Sequence, residues 1–203
     1  MTPRFVLIPL LALAALATGL WTLTGRADQN ESLTLGFTST AASPVVLTDF
    51  AIEQDLAPIE PTLVAGQADL AMPRMEGTNA LTPPVDKGGD GIWSLSARWV
   101  ELTTDRAYTA RIDVPKDALT VAYGSYLLLV VFSPNGELLI ASDTPGSSAA
   151  NRRDVARTCA DRAPEADRAW REDTGAFPEM GMLMAELARH PNPPAFCPEG
   201  RPE

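Results

Sequence analysis

The chain has 203 residues, 16 basic side chains against 26 acidic ones, a net charge of −10 and a hydrophobic share of 45%. That length fits one ordinary domain, the apolar content excludes a disordered polymer, and the acidic balance argues against nucleic acid, whose phosphates require a basic patch. With one histidine, a histidine-rich metal site is impossible, and any His-dependent triad rests on His190.

Phe5 to Leu23 is uncharged, with Arg4 before it and Arg26, Asp28 and Glu31 after it. A bilayer-spanning helix needs about 20 apolar residues, so the run reads as an uncleaved anchor. It reads equally as a secretory signal, with Ala15-Leu16-Ala17 or Gly25-Arg26-Ala27 as the cleavage site. Trp21 suits an interfacial aromatic. Either way residues 1–27 are a signal or anchor helix and 28–203 an exported domain. Fourteen of the 16 basic residues are arginine, a bias typical of a GC-rich bacterial genome. The expected place is therefore the bacterial periplasm, soluble or anchored in the inner membrane by residues 5–23.

Leu33, Leu35 and Phe37 alternate with Ser32, Thr34 and Gly36, which is strand periodicity, and Val45 to Ile52 is a second apolar stretch. Residues 53–91 read as a long Pro-rich surface loop, carrying Pro58, Pro61, Pro73, Pro83 and Pro84 and the turn cluster Asp86 to Gly91. Ile92 to Leu102 and Ala107 to Val114 both alternate, and the four polar residues between them predict a hairpin. Ser125 to Phe132 is continuously apolar, as a strand buried on both faces would be. Asn135-Gly136 joins it to Glu137–Ser142 in a second predicted hairpin.

After Gly146-Ser147-Ser148 the pattern turns helical. Val155 and Cys159 are spaced i, i+4 within 151–162, Pro164 opens a second helix, and Met180, Leu183, Met184 and Leu187 mark a third over 177–190, stopped by Pro191. The expected fold class is α+β. It consists of an antiparallel sheet or small sandwich over 28–148, followed by two to three C-terminal helices over 149–203. Cys159 and Cys197 are the only thiols, and in an oxidising compartment an even pair reads as a disulfide pinning that region.

The stretch Ser94 to Leu119, with Trp99 closing one strand, a charged turn, Tyr108 in the next strand and then Pro115-Lys116-Asp117, resembles an uncharacterised bacterial envelope family of lipoprotein type, a domain of unknown function. The resemblance implies an envelope location and brings no activity. The chain departs from that family in lacking a lipid-attachment cysteine near its apolar run.

No motif names a reaction. His190 stands at a predicted helix end, where the dipole favours a cation. Asp86 and Asp90 lack the alternate oxygens and distal glutamate of a calcium loop, and Lys87 and Lys116 lack a nearby nucleophile. Thioethers select Cu(I), and Met180 and Met184 share a helix face while Met182 points away. This leaves a weak copper-handling alternative beside the core-filling role of methionine. The expected function is a non-enzymatic binding or structural module that meets another envelope component through 53–91 and requires no cofactor. The alternative is a periplasmic hydrolase of unrecognised type.

Overall fold

The computed structural model describes residues 32–40, 43–66, 80–143, 152–167 and 195–198. They form eleven strands: β1 (Ser32–Ser39), β2 (Val45–Ile52), β3 (Pro58–Val64), β4 (Ala80–Leu81), β5 (Ile92–Glu101), β6 (Arg106–Pro115), β7 (Thr120–Ala122), β8 (Ser125–Ser133), β9 (Glu137–Asp143), β10 (Arg152–Cys159) and β11 (Asp161–Arg162). One sheet runs β10-β9-β8-β1-β4, with β7 also on β8; the other runs β11-β6-β5-β2-β3. Every pairing is antiparallel except β1 with β8.

The alternation in β5 and β6 explains how the sheets meet. Trp93, Leu95, Ala97 and Trp99, with Tyr108, Ile112 and Val114, turn inward onto Leu33, Leu128, Val130, Phe132, Leu138 and Ile140 of the opposing sheet. Three aromatic pairs cross between the sheets: Phe37–Phe50 at 4.9 Å, Trp99–Phe132 at 5.1 Å and Trp93–Tyr126 at 5.3 Å. Such pairs are worth about 0.5–1.5 kcal/mol each beyond the area they bury. β8 is buried on both faces, since Leu129 and Val131 join Leu139 and Ala141 in a separate cluster. The aromatic residues of the sheet are therefore core, and of Trp93, Trp99, Tyr108, Tyr123 and Tyr126 only Tyr123 is fully exposed.

This all-β sandwich overturns the α+β expectation: no helix of seven or more residues occurs among the described residues. Within the expected helix over 151–162, Arg152–Cys159 is strand β10 and Asp161–Arg162 is strand β11; β9 would otherwise leave an open ladder beside a buried strand. A bulge between Asp154 and Ala156 breaks its period of two. Pro164 opens only a 3₁₀ turn, Pro164–Ala166. The expected helix over 177–190 and the apolar run 5–23 lie outside the described residues. Among those described, no helix is long and apolar enough to cross a membrane.

Buried polar bonds close the end where β8 meets β9. Glu101, fully buried, accepts from Ser43 Oγ at 2.8 Å, Thr104 Oγ1 at 2.7 Å and Asn135 N at 3.0 Å. Burial, reinforced by the Glu101 charge, pushes the Tyr108 phenol above its usual range. The Asn-Gly hairpin exists with a three-residue connection, Pro134–Gly136, in which Asn135 and Gly136 take the left-handed conformation (φ 62° and 74°).

Candidate functional site

The end opposite that hairpin, where β5, β7 and β8 begin, carries two depressions divided by the loop 82–91. The loop is not free, in contrast to the surface excursion expected from sequence: β3 and β4 already tie parts of 53–91 into the two sheets. Asp86 organises its tip. One carboxylate oxygen accepts from Gly89 N at 2.6 Å; the other accepts from Gly91 N at 2.8 Å and from Lys116 Nζ at 2.7 Å. The Lys116 hydrogen bond, aided by the two backbone donors, holds the Asp86 carboxyl at about 2. Gly89 and Gly91 supply the left-handed φ angles (65° and 80°) that the turn needs.

The second anchor is Glu53, just beyond β2. Its side chain accepts from Lys87 N at 3.1 Å and from Ser94 N, so it ties the loop to the start of β5. Its own backbone is left-handed, with φ 58°. A non-glycine residue held there costs about 1–2 kcal/mol and marks a position that its surroundings over-determine.

Between the Glu53–Asp55 turn and the loop lies a groove of about 390 Å³ on the outer face of β5 and β6. Its ionisable lining is Glu53, Asp55, Asp90 and Asp113 against Lys87 and Arg111. Arg111 Nε donates to Ser94 Oγ at 2.6 Å. A guanidinium donor in that place orients the hydroxyl and provides no base to deprotonate it. Around the end of the loop is a larger depression of about 640 Å³, whose apolar wall includes Ile92, Leu119, Val121 and Tyr126.

Of the residues singled out in the sequence, Cys159 and Cys197 form a disulfide with Cα atoms 5.7 Å apart. Cys159 ends a strand and not a helix. The bridge fastens 195–198 to the end of β10, and Cys197 O also accepts from Asn135 Nδ2 of the β8–β9 connection. Met180, Met184, Met182, His190 and Ser147-Ser148 lie outside the described residues. Asp86 and Asp90 form an ordinary turn, and no group of three or more metal-binding side chains occurs among the described residues. Sequence reading missed Glu53, Ser94, Arg111 and Asp113. Alternation places the last three on the outer face, but nothing in the pattern brings Glu53 to them.

No family model matches the chain, nor does any curated protein or solved structure.

Proposed function

We propose that this protein is an exported binding module of the bacterial envelope, held at the inner membrane by residues 5–23, that receives a basic segment of another envelope component in the groove beside the 82–91 loop. The observation that carries the reading is a formed groove with fixed walls: Glu53 and Asp86 hold the loop through backbone donors, and four carboxylates face two cations across it. Preformed walls spare a partner the cost of ordering a loop on binding. The excess negative charge selects the sign of that partner and speeds its approach. The disulfide agrees with an oxidising, exported setting.

The test is chemical-shift mapping with a lysine-rich hexapeptide and its glutamate-rich counterpart. The lysine peptide is expected to shift the amides of 53–55, Ser94, Arg111 and Asp113 selectively, with the effect weakening as salt rises. The double substitution Asp55→Asn, Asp113→Asn is expected to reduce it severalfold. Shifts spread evenly over the acidic surface, or equal shifts with the glutamate peptide, defeat the groove.

A further inference from the structure

Six large hydrophobic side chains are exposed among the described residues: Leu81, Val85, Ile92, Val121, Tyr123 and Phe196. Phe196 is near the disulfide, with the Arg157 guanidinium over its ring at 4.5 Å. The other five gather at the loop end of the sandwich. Strand register shows how. Leu81 of β4 is opposite Leu33 of β1, Leu33 is opposite Tyr126 of β8, and Tyr126 is opposite Val121 of β7. One apolar row thus crosses four strands and emerges at both edges, where Leu81 is 46% and Val121 49% exposed. Ile92 adjoins Val121 and Tyr126 in the larger depression. Val85 precedes Asp86, which Lys116 ties to the same end.

Tyr123 is the most telling member. It occupies the tip of the β7–β8 turn in a left-handed conformation (φ 52°) and is wholly exposed. A bulky residue in that conformation is a genuine outlier, better filled by glycine or asparagine, and no aromatic pair among the described residues includes it. The next residue, Gly124, accepts through its carbonyl from Ser32 N at 2.9 Å, so the chain enters the sandwich beside the Tyr123 tip. The apolar run ends at Leu23, and residues 24–31 reach at most about 28 Å when extended.

We infer that the Tyr123 end of the sandwich rests on the bilayer surface, with Tyr123 and Val121 entering the headgroup layer. The inference depends on the proposed anchor at 5–23. Tyrosine suits this place, since its ring enters the apolar boundary while its hydroxyl stays among polar headgroups. Apolar side chains gathered and exposed at one end are otherwise a liability on an exported domain. The chain's net charge of −10 makes the contact apolar in origin, so zwitterionic lipid suffices and salt has little effect. The Asn135 connection, at the other end of the nine-residue strand β8, stands about 30 Å away and serves as an internal reference.

The experiment places the full chain in phosphatidylcholine nanodiscs carrying a headgroup-spin-labelled lipid and reads amide line broadening. Broadening is expected at Val121–Gly124 at least fivefold above that at Asn135–Gly136, and a fall of at least twofold is expected in Tyr123→Ser. A chain that co-elutes with the nanodiscs but broadens equally at both ends, or at neither, overturns the orientation while the anchor stands. Failure to co-elute overturns the anchor and the orientation with it. Shifts at 121–124 that grow with protein concentration in discs without spin label show a second copy on this edge, and they too overturn it.

Discussion

Gly136→Ala tests how tightly the two sheets are locked at the disulfide end. Gly136 has φ 74°, and a Cβ built there comes 2.4 Å from Tyr108 Cδ1 and 2.7 Å from Cε1. The left-handed backbone alone costs a side chain about 1–2 kcal/mol. The Tyr108 ring cannot yield cheaply, because it is 2% exposed, stacked on Trp99 at 6.0 Å and covered by Arg162 at 5.3 Å. Overpacking of this kind adds about 1–3 kcal/mol, for a total of about 2–5 kcal/mol. For a protein of this size that lowers Tm by about 4–20 °C. Gly89→Ala is the control: its φ is 65°, yet nothing lies within 4 Å of the added carbon, so it reports the backbone cost alone. Urea denaturation followed by fluorescence of the buried Trp93 and Trp99 gives both values. The double variant Gly136→Ala, Tyr108→Leu should recover the overpacking share and leave the backbone share. Equal losses in Gly136→Ala and Gly89→Ala would refute the proposed contact with an unyielding ring.

Removing the Cys159–Cys197 bridge opens a link of sequence separation 38, worth about 4 kcal/mol in the chain-entropy account. Reduction should lower Tm by about 8–16 °C and first release the amides of 195–198 to exchange; an unchanged Tm contradicts it. Asp86 has its carboxyl lowered from 3.8 to about 2, first by Lys116. A depressed folded value contributes stability that is complete above pH about 4 and is lost as pH falls toward 2. Asp86→Asn should flatten the stability profile in that window, and an NMR titration near 3.8 would contradict the assigned bonds. Glu101→Leu strands the donors from Ser43, Thr104 and Asn135 and should cost about 2–4 kcal/mol; urea stability equal to the native protein's would show that these donors find other partners.

The strands visible in the sequence are those whose period is set by one buried and one open face. β1, β5 and β6 alternate because every second side chain meets the opposing sheet, and β8 reads as continuous because both faces are covered. β10 escaped because it is an edge strand. Its partner β9 supplies the ordering, its bulge shifts the phase of the side chains, and Val155 with Cys159 fits a helical face equally well. β3 escaped because Pro58 and Pro61 signal a loop wherever a strand has two neighbours, whereas an edge strand tolerates them. The groove was illegible for a different reason. Its decisive bonds join Glu53 to Lys87 and Ser94, 34 and 41 residues away, and they depend on β2 and β5 being neighbours in the sheet. No local spacing encodes that adjacency.

The treatment of the sheet edges bears on the proposed binding role. β3, at one edge of its sheet, carries two prolines that cannot donate to an added strand. β10, at the edge of the other, carries Arg152, Arg153 and Arg157. Arg157 is paired with Glu137 and Asp154, and Arg153 with the carbonyl of Ala118. Of the other strands paired on one side only, β4 and β11 are two residues long and β7 is three. Among the described residues, 35–39 of β1 and 110–115 of β6 pair with a strand on one side only, so strand addition is disfavoured at β3 and β10 and not along every edge. The proposed recognition relies instead on the side chains that line the groove beside the loop whose backbone Glu53 and Asp86 hold. The same two carboxylates that stiffen the 82–91 loop thus separate an acidic wall on the outer face of β5 and β6 from the apolar row at the strand ends. The proposed basic partner and the proposed lipid surface would meet adjoining sides of one short loop.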